Sequence, residues 1–134
     1  MIGVVVVTHG NIGGEMVRVA LSIVKEERPM VGVSLEHSEA MDGMRRKIQG
    51  AIEQVDRGRG VLLLADMFGG TPCNLCLSFL KEGSVEVVSG VNLPMLIKLA
   101  SLKEEMPLAE IADFIKGYGQ KNIARANEVL RGSG

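Results

Sequence analysis

Two side chains in this sequence pair nucleophilic with orienting chemistry at matching places. His9 follows the apolar run Ile2 to Val7, and Asp66 follows the apolar run Val61 to Ala65. A carboxylate that accepts from the Nδ1–H of an imidazole fixes the ring tautomer and leaves Nε2 as a directed nucleophile. Asp66 would also stabilise the positive charge that develops on the ring as Nε2 attacks. An arbitrary His–Asp pair serves structure as readily as chemistry, so the surroundings must decide. Gly10, Gly13 and Gly14 surround one partner and Gly69 and Gly70 follow the other, which lets a bulky anion approach the backbone from both sides. The helix expected after Gly69-Gly70-Thr71-Pro72 should turn free N–H groups toward the same space, an anion site of the kind phosphate oxygens occupy. Thr71 is placed to cap that helix or to donate. Neither loop is a nucleotide motif: the first reads Gly10-Asn-Ile-Gly-Gly14 rather than GxGxxG, and no Gly-Lys-Ser/Thr occurs.

The elements that must position these residues alternate along the chain. Ile2 to Val7 is nearly all β-branched, as a central parallel strand buried on both faces requires. After the glycine turn, Met16, Ala20, Ile23 and Val24 recur at helical spacing, and Pro29 marks the end of that helix. Val31 to Leu35 alternates as a strand with one more exposed face. Ser38 reads as the N-cap of a helix whose core stripe is Met41, Met44, Ile48, Ile52 and Val55, with Arg45, Arg46 and Lys47 outside it. Arg57-Gly-Arg-Gly60 breaks the pattern before the apolar strand Val61 to Ala65. Thr71 and Pro72 read as N-cap and first residue of a helix reaching about Leu80. Val85 to Val88 is a fourth strand, Asn92 and Pro94 open another helix, and Pro107 opens one more. Four strand–helix alternations with short connections predict an α/β fold, doubly wound, with a mainly parallel sheet and helices on both faces. Ligands of such sheets bind beyond the carboxyl ends of the strands, where strand order reverses. Asn122 to Ala126 fits a helix or a short edge strand equally well.

The bulk properties narrow the partners. A chain of 134 residues with 46% hydrophobic and 23% charged residues predicts one folded domain over residues 1–134. A net charge of −1 gives no footprint for nucleic acid or an anionic membrane. Aromatic residues make up only 3%, so base or sugar stacking is poorly supplied. Met1 to Val7 lacks a basic flank and is far shorter than the ~20 residues of a membrane span. Two cysteines make no disulfide scaffold, and a reducing cytoplasm is expected.

Several features invite other readings. Cys73-Asn-Leu-Cys76 is a CxxC at a helix start, where a thiol pKa can fall, but a closed zinc site needs four ligands and only His9 and Asp66 could complete it. Two small residues packing a helix on the sheet is the simpler account. His37 reads as an exposed loop residue, Lys25-Glu-Glu-Arg28 as a solvated helix end, and the eight methionines as core filler.

Three motifs in order carry a family resemblance: a strand ending in His9-Gly10, then Leu64-Ala-Asp66-Met-Phe-Gly-Gly-Thr-Pro72, then Gly90-Val-Asn-Leu-Pro-Met95. Over nearly its whole length the chain resembles the enzyme IIA domain of the mannose family of the bacterial phosphoenolpyruvate-dependent sugar phosphotransferase system. The resemblance implies strand order 2-1-3-4 and a homodimer with a short exchanged fifth strand at Asn122 to Ala126. It implies a phosphocarrier whose His9 is phosphorylated by the carrier HPr at Nε2, with Asp66 orienting the ring. Gly10, Gly69, Gly70 and Thr71 would hold the phosphoryl oxygens with Asn92 nearby, and no metal or organic cofactor is implied. Met67 departs from the small hydroxyl residue often found after the aspartate, leaving more to the backbone amides. The acceptor would be a separate IIB protein, through which alone the chain would meet a membrane sugar permease. Phosphocarriers serving dihydroxyacetone kinase and regulatory phosphoproteins share this chemistry and differ in the recipient. A flavodoxin-like small-molecule binder with an incidental histidine is the remaining alternative.

Overall fold

The computed structural model describes residues 1–132, so the end of the domain expected over 1–134, Ser133 and Gly134, lies outside the described residues. Its elements run β1 (Gly3–His9), α1 (Ile12–Val24), β2 (Met30–Leu35), α2 (Met41–Val55), β3 (Val61–Ala65), α3 (Thr71–Leu77), β4 (Val85–Ser89), α4 (Leu93–Ser101), α5 (Leu108–Lys121) and α6 (Ala126–Gly132). The strands form one parallel sheet in the order β2-β1-β3-β4, as the resemblance implied. β1 and β3 lie in the middle, and their unbroken apolar runs follow from that position: Val5, Val6, Val7, Leu62, Leu63, Leu64 and Ala65 are all completely buried.

Alternation along β1 divides the core. Val4 and Val6 face α1, α4 and α5, whereas Val5 and Val7 face α2 and α3. The same alternation sends the side chain of Thr8 toward α1 and that of His9 toward α2 and α3. On the α1 face β2 has to carry a glycine. A Cβ on Gly32 would run into the backbone nitrogen of Gly14, so the first turn of α1 lies directly on the strand.

Several expected boundaries move. Ser38 is not an N-cap: Glu36 to Glu39 form a turn closed by Glu39 N–H to Glu36 O (3.1 Å), and α2 starts after the extended residue Ala40. In α2 the buried stripe is Met44, Ile48, Ala51, Ile52 and Val55, and Met41 is exposed. In α1 the buried positions are Gly13, Val17 and Ala20, while Ile23 faces solvent, and the helix stops at Lys25 in the left-handed region, before Pro29. Gly70, not Thr71, caps α3, which places Pro72 one residue further in. That helix ends at Leu77, because the amides of Ser78, Phe79 and Leu80 bond three residues back and tighten into turns. Asn122 to Ala126 is no strand within this chain. α5 closes at Asn122, an irregular stretch follows with Ile123 78% exposed, and α6 begins at Ala126 with none of its residues buried.

Candidate functional site

The strand order reverses between β1 and β3, and both expected residues stand at that point. β1 and β3 pair in register as far as Val7 with Ala65, so His9 and Asp66 leave the sheet side by side. The Asp66 carboxylate grips the histidine twice: Oδ2 accepts from the His9 amide at 2.8 Å and lies 2.8 Å from its Nδ1. The other oxygen, Oδ1, accepts from the Met67 amide at 2.9 Å. Partial burial pushes the Asp66 carboxyl up, but the hydrogen bonds from the His9 amide and ring, the ring's charge and the Met67 amide outweigh it and hold the group below the usual carboxylate range. The ring is open to solvent while its partner is mostly covered: the His9 side chain is 41% exposed and that of Asp66 19%.

With Nδ1 engaged, Nε2 is the free end of the ring, and the start of α3 faces it. A Cβ on Gly70 would lie 2.9 Å from His9 Cε1 and 3.4 Å from Nε2, so only glycine leaves the ring its position. Gly10 and Gly69 both have positive φ, at +60° and +88°, which turns the chain sharply away on either side of the ring. No side chain caps α3, and Pro72 contributes no N–H, so the first amides of the helix have no partner from a capping side chain. His9 and Thr71 line one groove of about 260 Å³. Gly10, Gly70 and Thr71 are thus gathered at the ring, with Gly69 in the adjoining turn. Asn92 is occupied elsewhere: it caps α4 by accepting from the Met95 amide at 3.1 Å and donates to Gly119 O at 3.2 Å, which ties α4 to α5.

The groove holds residues that pattern alone does not single out. Glu36, Glu39, Met41 and Met44 line it together with His37, which is exposed as expected but adjoins the site. Glu36, His37 and Glu39 come from the β2–α2 turn and Met41 and Met44 from the first turn of α2, and no local periodicity encodes the direction of that turn. Met67 and Phe68, 55% and 75% exposed, stand on the loop directly after Asp66. Cys73 and Cys76 are both buried, and burial pushes the Cys76 thiol up to about 12, the reverse of a reactive thiol. Among the described residues no group of three His, Cys, Asp or Glu side chains is placed to hold a metal ion.

The family model described as the PTS system fructose IIA component, EIIA-man, matches residues 3–116. The chain belongs to the EIIA-man family. It is 30% identical to the fructose-specific EIIA component of Bacillus subtilis over 131 residues, 97% of this chain and 90% of that one. It is 26% identical to the mannose-specific EIIAB component of Escherichia coli K12 over 107 residues, 79% of this chain and 33% of that longer protein. Among solved structures, the mannose/sorbose-specific IIA subunit of Enterococcus faecalis superposes with a TM-score of 0.82 at 26% identity, covering 92% of this chain and 93% of that one. The PTS IIA protein associated with the fucose utilisation operon of Streptococcus pneumoniae gives 0.81 at 27% identity, covering 96% of each. This EIIA domain is therefore a component of the phosphotransferase system by family, and its sheet order is the one that the resemblance implied.

Proposed function

We propose that this EIIA domain is a phosphocarrier that accepts a phosphoryl group from phospho-HPr on His9 Nε2 and passes it to a separate IIB protein. One observation carries the proposal: Asp66 Oδ2 lies 2.8 Å from Nδ1, which leaves Nε2 on the side of Gly70 and the open groove. In the forward step the P–N bond of the donor's phosphohistidine breaks and the donor nitrogen keeps the electron pair. A P–N bond forms to His9 Nε2, while Nδ1 keeps its proton. The imidazolium charge that builds up falls beside a carboxylate already ionised and held by three hydrogen bonds, so little has to reorganise. Gly70, Thr71 and the free amides of α3 receive the phosphoryl oxygens, while Gly10, whose amide is taken by Leu35 O, and Gly69 turn the chain to leave them room. Asn92 serves at one remove by seating α4. Transfer to the acceptor reverses the step, so positioning and anion stabilisation are all that is asked of the protein.

The reaction belongs in the cytoplasm, where HPr would meet it, and among the described residues no helix is long and apolar enough to cross a membrane. A homodimer fits the same reading. β4 is an open sheet edge, half-buried along its length, and the exposed Ile123 lines a groove beside it. The test is labelling with phosphoenolpyruvate, enzyme I and HPr. The chain should gain one acid-labile, base-stable phosphoryl group, and His9→Ala should gain none. Labelling that persists in His9→Ala, or that maps to Cys73 or Ser89, refutes the assignment.

A further inference from the structure

We propose that Thr8 is a positioning residue for phosphoryl transfer: its buried hydroxyl locks the turn that carries His9 off β1 and so fixes the place of Nε2. The inference rests on the reading of His9 as the phosphoryl acceptor. Thr8 is completely buried, and among the described residues no other polar side chain is as deeply placed. Its hydroxyl donates to Gly10 O at 2.9 Å and accepts from the Gly13 amide at 2.9 Å, bridging the two sides of the turn between β1 and α1. The second bond has a clear use. Asn11 occupies the N-cap position of α1 but makes no capping bond with its side chain, so Thr8 satisfies a first-turn amide from the preceding strand.

The backbone around His9 is pinned at successive points. The His9 amide is held by Asp66, the Gly10 amide by Leu35 O at 3.0 Å, and the Gly10 carbonyl by Thr8. Gly10 sits at φ +60°, so its peptide has a sharply defined direction, and Thr8 is the side chain that holds the carbonyl end. α1 also packs onto Thr8: a Cβ on Gly13 would lie 3.1 Å from both Oγ1 and Cγ2. Without the hydroxyl, a buried amide and a half-buried carbonyl lose their partner, and the turn must shift to find others. Valine keeps the branched shape of threonine, so Thr8→Val removes little besides these two bonds. In-line transfer is sensitive to such a shift, since a displacement of about 1 Å can cost ~10²-fold in rate.

The experiment measures kcat and KM for phosphoryl transfer from phospho-HPr to the full chain, well below the melting temperature of each variant. Thr8→Val should lose about 10²-fold in kcat with KM nearly unchanged. Thr8→Ser, which keeps the hydroxyl, should stay within about threefold of wild type in kcat. If Thr8→Val does not fold, Thr8→Cys takes its place, because a thiol of similar size is a weak hydrogen-bonding group. A folded Val or Cys variant with wild-type kcat gives Thr8 a purely structural role and overturns the inference, as does a Ser variant as slow as Val. A wild-type chain that takes no label overturns the reading of His9 and this inference with it. A labelled wild type with a fast Thr8→Val overturns this inference alone.

Discussion

Asp66→Asn removes one charge and leaves the shape of the side chain, and the hydrogen bonds around it show why the rate should fall. The carboxylate accepts three bonds, two at Oδ2 from His9 and one at Oδ1 from the Met67 amide. An asparagine has one acceptor oxygen and one NH₂ group. With the oxygen toward His9, the NH₂ group meets the Met67 N–H donor to donor. With the amide turned over, NH₂ faces the His9 amide and ring, so Nδ1 must accept and the proton moves to Nε2, which blocks the nucleophile. A hydrogen bond to a charged group contributes ~1.5–3 kcal/mol, and each 1.36 kcal/mol is tenfold in rate, so losing one such bond to the developing imidazolium costs about 10- to 150-fold. The tautomer change adds to this. In the Ser-His-Asp triad of serine proteases the same exchange costs ~10⁴, and a loss of at least ~10² is expected here. The fold should persist, because the pair lies at the strand ends with the His9 side chain 41% exposed, and the melting temperature should drop by only a few degrees, on the order of 3–5 °C.

The assay is rapid-quench transfer from phospho-HPr, with a melting curve on the same preparation. A folded Asp66→Asn phosphorylated at close to the wild-type rate would refute the reasoning. Acid provides a control on sign. The folded carboxyl is held below its unfolded value, so its stabilising effect is full above the ordinary carboxylate pKa and is lost as pH falls through the lowered folded value. The stability gap between wild type and Asp66→Asn should therefore close on acidification below the ordinary carboxylate range.

Three further outcomes follow from other contacts. Gly70→Ala has backbone angles that alanine accepts (φ −83°, ψ 171°), but its Cβ would meet the His9 ring at 2.9 Å. It should fold normally and lose at least about tenfold in transfer rate, measured beside its melting curve. Cys73 and Cys76 should resist an aromatic disulfide reagent in the native protein and both react in denaturant, since they are buried and the Cys76 thiol is pushed up to about 12. Rapid native labelling of either would contradict the packing. Sedimentation at micromolar concentration should show a homodimer, with a chain ended after Lys121 running as a monomer; a monomeric full chain would remove the proposed use of the β4 edge.

What the sequence makes legible here follows a physical divide. Val4 to Val7 and Val61 to Ala65 announce central strands because burial on both faces leaves no room for polar residues, and the strands so placed bring His9 and Asp66 together. The strand order itself came from the family resemblance, since periodicity carries no information about which strands pair. Misread positions lie where a local signal competes with a tertiary contact. Ser38 has the chemistry of a cap, yet the Glu36 amide bonds to Glu39 Oε1 at 2.8 Å and Lys47 holds Glu39 in place, so the chain spends two more residues in a turn. Thr71 likewise yields the cap to Gly70. Thr8 gave no signal, because a threonine ending a β-branched run reads as one more strand residue. The Ile123 region stays undecided by pattern because a strand there needs an edge to pair with, and a local pattern does not say which edge, if any, lies within reach.

In the proposed mechanism Asp66 commits Nδ1 and thereby directs the phosphoryl group to Nε2. Nitrogen NMR on ¹⁵N-histidine-labelled chain, before and after phosphorylation by phospho-HPr, tests this at the atom concerned. His9 should carry its proton on Nδ1 before transfer and the phosphorus coupling on Nε2 after it, with His37 unchanged. A phosphorus coupling on Nδ1, or a resting ring with its proton on Nε2, would contradict the account.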